Sequence, residues 1–194
     1  MNIISSDSVQ SRRIFLFLYA LILKQMRRLS LIFLLISALL MVSCIKDDVR
    51  GADLKVGDFL PDFEVVMSDG TTVSDKSLKG SVSVVVFFST ICPDCQQVLP
   101  IIQEIYGEYT PEGAVFALIS REQDERDIST YWADNALYMP YSAQQDRRVY
   151  EKFAKAGIPR IYINDKDGTI RYIYTDDPVP SYSELCSSLD ALIR

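Results

Sequence analysis

A chain of 194 residues, 48% of them hydrophobic, has room for one ordinary domain and a targeting segment. It has no histidine and four cysteines, too few for a disulfide-stapled scaffold and poor in ligands for a structural zinc site. Residues 1–43 hold five of the basic and one of the acidic side chains, so the remainder carries a net charge of −10, a surface unsuited to nucleic acid or to anionic lipid headgroups.

Two apolar runs open the chain, Ile14–Leu23 and Leu29–Val42, separated by Lys24, Arg27 and Arg28. Each is shorter than the ~20 residues that cross a bilayer as a helix. The second has the form of a secretory signal: Met26-Arg27-Arg28 is its basic start, Leu29–Leu40 its apolar stretch, and Met41-Val42-Ser43-Cys44 its small residues before a cleavage point. It resembles a bacterial lipoprotein signal, which implies that Cys44 is lipidated and becomes the new N-terminus; the plainer alternative is a signal peptide in which Cys44 is incidental. Because Met26 opens a complete signal, translation is expected to start there, residues 1–25 otherwise lengthening the segment into an uncleaved anchor. The chain thus divides into a signal segment at 1–43, a solvated tether at 44–55 and a domain at 56–194. That domain is expected outside the cytoplasm of a bacterium, tied to a membrane.

Val56–Phe63 opens the domain. Phe63–Met67 and Thr71–Val73 predict two short strands around the Asp69-Gly70 turn. Val82–Phe88 is almost wholly β-branched or aromatic and predicts a buried strand. Val98, Ile101, Ile102 and Ile105 then recur at helical spacing, predicting a helix over Cys95–Tyr109 with Pro100 inside it as a kink.

Cys92-Pro93-Asp94-Cys95 lies between that strand and that helix. Unpaired N–H groups of a first helical turn favour negative charge, which raises the thiolate fraction of a cysteine placed there. Pro93 suits a first turn because it gives up no hydrogen bond. Cys95, one turn on, can close a disulfide onto Cys92 or resolve a mixed disulfide formed there. The alternatives are a metal site, for which Cys44 and Cys186 stand too far apart and alone, and a purely structural disulfide, which in so small a loop stabilises little.

Ala114–Ile119 predicts a second buried strand, and Asp127–Leu137 a helix burying Ile128, Tyr131 and Trp132. Met139–Ser142 is a short extended piece. Asp146–Ala156 predicts a further helix with Val149, Tyr150 and Phe153 on one face, interrupted by Gly157-Ile158-Pro159. Ile161–Ile163 and Thr169–Tyr174 form a hairpin about Asp167-Gly168, and Ser181 caps a last helix, Tyr182–Ile193, burying Leu185, Leu189 and Leu192. Cys186 beside that face is read as a small buried hydrophobe.

Parallel buried strands joined by helices, then a hairpin and a closing helix, predict an α/β domain: a central mixed sheet with helices on both faces and an N-terminal β-hairpin extension. This is a thioredoxin-like order. Gly57–Phe63, Phe87-Phe88-Ser89-Thr90 leading into Cys92-Pro93-Asp94-Cys95, Pro100, and Gly157-Ile158-Pro159 before Ile163–Gly168 together resemble the TlpA/ResA-type thiol–disulfide oxidoreductases, membrane-tethered, AhpC/TSA-related relatives of thioredoxin, over residues 56–193.

The resemblance implies that Cys92 is the nucleophile and Cys95 the resolving cysteine, with no cofactor beyond their redox-active disulfide and no metal. It implies that Pro159 is a cis-proline beside the disulfide, leaving the Ile158 backbone to pair with a bound substrate strand; a trans proline ending a helix is the plain alternative. Ile91 departs from the tryptophan common before the first cysteine. Val86 and Val98 stand where thioredoxin's buried aspartate and the glutamate of some TlpA-like proteins would be. Asp94 is then the nearest obvious carboxylate and, with Pro93, a candidate modulator, since a charge so close opposes thiol ionisation; a favourable charge in the first helical turn is its ordinary role.

The leading function is thiol–disulfide exchange outside the cytoplasm, reducing disulfides of exported proteins with electrons from a membrane partner. Peroxide reduction is the second, since Gly57–Phe63 is also similar to peroxiredoxins, although Ser89 and Val85 stand where those proteins carry a threonine and a proline. A redox-inactive binding lipoprotein on the same scaffold is the third.

Overall fold

The computed structural model describes residues 53–194; the signal segment, Cys44 and most of the tether lie outside the described residues. The nearly all β-branched or aromatic run read as a strand is β3, Ser83–Phe88, every residue of which is buried. A strand apolar on both sides needs cover on both sides, and β3 takes the middle of a five-stranded sheet. Its neighbours are β4 (Val115–Ser120), β5 (Tyr141–Ser142), β6 (Arg160–Asn164) and β7 (Ile170–Tyr174), in the order β5-β4-β3-β6-β7. β3 and β5 run parallel to β4, while β6 and β7 are antiparallel to their neighbours, so the sheet is mixed.

Register sorts the core into two faces, because successive side chains of a strand alternate. Val84, Val86 and Phe88 share one face with Phe116, Leu118 and Ile161; Val85 and Phe87 share the other with Ala117, Ile119 and Tyr162. The first face carries three α-helices: α1 (Pro93–Tyr109), α2 (Glu125–Asp134) and α3 (Tyr182–Ile193). Tyr106 of α1 meets Phe116 with ring centroids 5.4 Å apart, and Trp132 of α2 meets Phe88 at 5.1 Å. Tyr174 of β7 reaches Ser188 of α3, oxygen to oxygen, at 2.6 Å. On the second face Phe87 packs against Tyr150 and Phe153, in and just after a 3-10 turn at Tyr150–Lys152. Phe63 closes on Phe153 at 5.5 Å, bringing up the N-terminal hairpin of β1 (Glu64–Val66) and β2 (Thr72–Ser74). In its turn the Asp69 carboxylate accepts the Thr71 N–H and hydroxyl, and Gly70 takes φ 84°.

Several expectations change: the cysteine helix starts at Pro93, two residues early, and Leu192 is half-buried rather than buried. The helix expected over Asp146–Ala156 is only the 3-10 turn: Asp146 Oδ1 takes the Arg148 N–H at 2.9 Å, a local bond that competes with helix formation, and Tyr150 and Phe153 are fixed by Phe87. The helix expected at Asp127–Leu137 starts two residues earlier, where Asp124 caps it, and stops at Asp134 before Ala136 turns to φ 51°. Tyr131 on it is half-buried rather than buried. The closing helix begins as expected at Ser181, in a full capping box with Glu184.

The chain enters the domain beside the start of β6. Leu54 N–H donates to Phe153 O at 3.0 Å, Asp53 accepts the Lys155 N–H at 3.2 Å, and the Arg160 guanidinium stands 3.9 Å from the same carboxylate. Among the described residues no helix is long and apolar enough to cross a membrane.

Candidate active site

The C-terminal ends of β3 and β4 and the N-terminal end of β6 meet at one edge of the sheet, and the cysteine pair sits there. Cys92 is the N-cap of α1, with φ −87° and ψ 120°, and no side chain caps the helix. It stands at the end of the helix whose first-turn N–H groups have no partner within the helix. Pro93 follows at the first helical position and is exposed; Asp94 is half-buried, with Gln97 Nε2 donating to its Oδ1 at 3.5 Å. Pro100 stands inside the helix, where it has no N–H to offer the Gln96 carbonyl.

The two thiols differ in access. Cys92 is half-buried, whereas Cys95 is wholly enclosed and both are free thiols. Burial pushes the Cys95 thiol well above its ordinary value, with Cys92 and Asp94 adding to the shift and the Ser89 backbone opposing it. Val86 and Val98 are fully buried, so the interior behind the pair is apolar at both positions. Ile91, just before the pair, is 83% exposed and forms an apolar rim.

The structure brings Ile158 and Pro159 to the cysteines. Their peptide bond is cis, and Cys92 Sγ donates to Ile158 O at 3.5 Å across 66 residues of chain. A carbonyl so placed beside Cys92 is a backbone acceptor along which an extended segment can lie. Tyr150, read from sequence only as an apolar helix position, holds this loop from beneath: its hydroxyl donates to Gly157 O at 2.7 Å. On the other side of Ile91 an open groove of about 510 Å³ runs past Glu122, Gln123, Asp124 and Asp127. Glu122 is paired with Arg121 at 3.0 Å and Arg147 at 3.7 Å. Gln123 carried no signal in the sequence, being one polar residue in a loop; only the pairing of β4 with β3 brings it to the cysteine turn. Cys186 lies apart on α3, half-buried, its carbonyl accepting from Tyr109 Oη at 3.3 Å.

Such a site, an accessible thiol over a buried one with a backbone acceptor beside it, can do two-electron thiol exchange. Residues 56–173 match the model of the AhpC/TSA family. The chain belongs to the AhpC/TSA family. Its relatives carry the same chemistry in their names: thiol-disulfide oxidoreductase ResA of Oceanobacillus iheyensis is 26% identical over 152 residues, covering 75% of this chain and 78% of that protein. ResA of Bacillus cereus is 22% identical over 117 residues, 60% of this chain and 68% of that one. The fold is thioredoxin-like. A putative protein disulfide isomerase from Bacteroides thetaiotaomicron superposes with a TM-score of 0.68 at 21% identity, covering 74% of this chain and 93% of that one. The thioredoxin domain of a thiol-disulfide oxidoreductase from Bacteroides vulgatus does so at 0.64 and 21%, over 73% of this chain and all of that one. This member of the family is an enzyme of the thiol–disulfide oxidoreductase class.

Proposed function

We propose that this protein is an extracytoplasmic, membrane-tethered reductant of disulfides in exported proteins, working through Cys92 and Cys95. The observation that carries the reading is the pairing of a half-buried Cys92, against the Ile158 carbonyl, with a fully buried Cys95. The Cys92 thiolate attacks one sulfur of a partner disulfide, forming a mixed disulfide and releasing the other sulfur as a thiolate. Cys95 then gives up its proton, which that thiolate or water takes, and attacks Cys92 Sγ. The second partner thiol leaves, and two electrons have passed to the partner. The pair, now a disulfide, is returned to dithiol by a thiol donor at the membrane. Pro159 and the Ile158 backbone align the partner strand, Pro93 and Asp94 tune the turn, and lipidated Cys44 supplies the tether; no further cofactor takes part.

Peroxide reduction has weaker support. At the position corresponding to the peroxiredoxin threonine, Ser89 Oγ donates to Gln123 Oε1 at 3.3 Å, and its hydroxyl is thus engaged away from Cys92.

The decisive measurement is the reduction potential of the pair in protein comprising residues 45–194, equilibrated against defined thiol buffers. A value of roughly −250 mV or lower supports a reductant, one near −120 mV an oxidant, and failure to form the disulfide defeats both. Peroxide turnover by the same protein separates the peroxidase reading.

A further inference from the structure

Thr90, two residues before Cys92, has every backbone and side-chain polar group held by a glutamine. Its N–H donates to Gln123 Oε1 at 2.9 Å, its hydroxyl accepts from Gln123 Nε2, and its carbonyl accepts from Gln96 Nε2 at 2.7 Å. Ser89 Oγ donates to the same Gln123 oxygen. A backbone N–H can only donate, so Thr90 itself sets which way the Gln123 amide faces. Gln123 is 8% exposed and is itself pinned: its N–H donates to Gln144 O at 2.7 Å, and its carbonyl accepts from Ser120 Oγ at 3.2 Å. Ser120 ends β4 and stands opposite Phe88, the last residue of β3. The neighbouring strand therefore anchors the turn from which the cysteine pair springs. The clamp is uncharged, buried, and makes its side-chain bonds to residues 33 and 34 positions away.

We propose that Gln123 is the positioning residue of this redox site: by fixing Ser89 and Thr90 it holds Cys92 over Cys95 and favours closure of their disulfide. The proposal rests on reading these two cysteines as the exchanging pair. Closure is an intramolecular step whose equilibrium rises with the effective concentration of one sulfur at the other, and a turn with less freedom raises that concentration. Gln123 touches neither reacting sulfur in this role. It acts through the two residues it binds.

The test uses the full chain in detergent and the variant Gln123→Met, which keeps the volume and removes all three side-chain bonds. Equilibration against defined thiol buffers is expected to show about a tenfold fall in the closure constant, a rise in reduction potential of about 30 mV. Leu189→Ala, a core truncation in α3 that lowers stability without touching the site, is expected to leave the potential at the wild-type value. A Gln123→Met potential within about 10 mV of wild type overturns the proposal, as does an equal rise in Leu189→Ala. If Gln123→Met does not fold, Thr90→Val, which removes the hydroxyl that Gln123 Nε2 reaches, takes its place: a rise supports the clamp and a wild-type potential overturns it. A wild-type pair that never oxidises in these buffers defeats the exchange reading itself, whereas a normal wild-type potential unmoved by Gln123→Met defeats the clamp alone.

Discussion

Burial of Cys95 ties the stability of the dithiol protein to pH in a way that can be measured free of catalysis. The thiol is fully enclosed, and its ionisation is pushed far above its ordinary value of 9.0, first by desolvation. In the unfolded chain the thiol ionises through pH 9, while in the folded protein it stays protonated, so above pH 9 the unfolded state binds fewer protons. The sign follows: stability from this group is complete below pH 9 and is lost as pH rises toward the folded value. One pH unit corresponds to about 1.4 kcal/mol, so at pH 10 the loss from this single thiol is about 1.4 kcal/mol. Tyr109, Tyr141 and Tyr162, also raised by burial, begin to contribute near pH 10, so the measurement needs a difference. Urea unfolding of Cys92→Ser and of Cys92→Ser/Cys95→Ala at pH 7.5 to 10, under reductant, cancels the tyrosines and leaves Cys95. The free-energy gap between the two variants should change by about 1.4 kcal/mol over this range, the Cys95 form losing more. A gap independent of pH would refute the burial argument.

Cys95→Ser is expected to accumulate a mixed disulfide through Cys92 with a disulfide-bearing protein, seen as a mass adduct that thiol reductant removes; Cys92→Ser forms no such adduct. Cys44→Ala is expected to release the protein from the membrane fraction while leaving exchange by the soluble domain intact, a fractionation experiment that tests the lipid tether directly. Phe87, wholly buried and in contact with Tyr150, Phe153 and Tyr162, lies at the centre of the second face. Phe87→Ala is expected to cost about 3–5 kcal/mol in urea unfolding, and a loss below about 1 kcal/mol would mean that the face repacks.

Much of the fold was legible because its signals are local. Val82–Phe88 is β-branched or aromatic at every position but Ser83, the pattern of a strand buried on both faces, and α1 shows its buried stripe at Val98, Ile102 and Ile105. Ser181 marked the start of the closing helix to the residue, because an N-cap and the turn it caps are neighbours in sequence. Asp146–Ala156 misled for the converse reason: its apolar spacing was helical, but Tyr150 and Phe153 satisfy it by packing on Phe87 from a single 3-10 turn.

The cysteine pair could likewise be found without coordinates, since two residues between cysteines and a strand-to-helix junction are properties of neighbouring residues. What the tertiary structure alone decided is what surrounds them. The Ile158 carbonyl reaches Cys92 over 66 positions, and Gln123 reaches Thr90 over 33; no periodicity encodes a contact of that span, which depends on β4 and β6 both pairing with β3. The difference between the thiols is of the same kind. Their sequence surroundings are nearly shared, but one lies at the helix cap and the other a turn inside, against the sheet, and burial separates their chemistry.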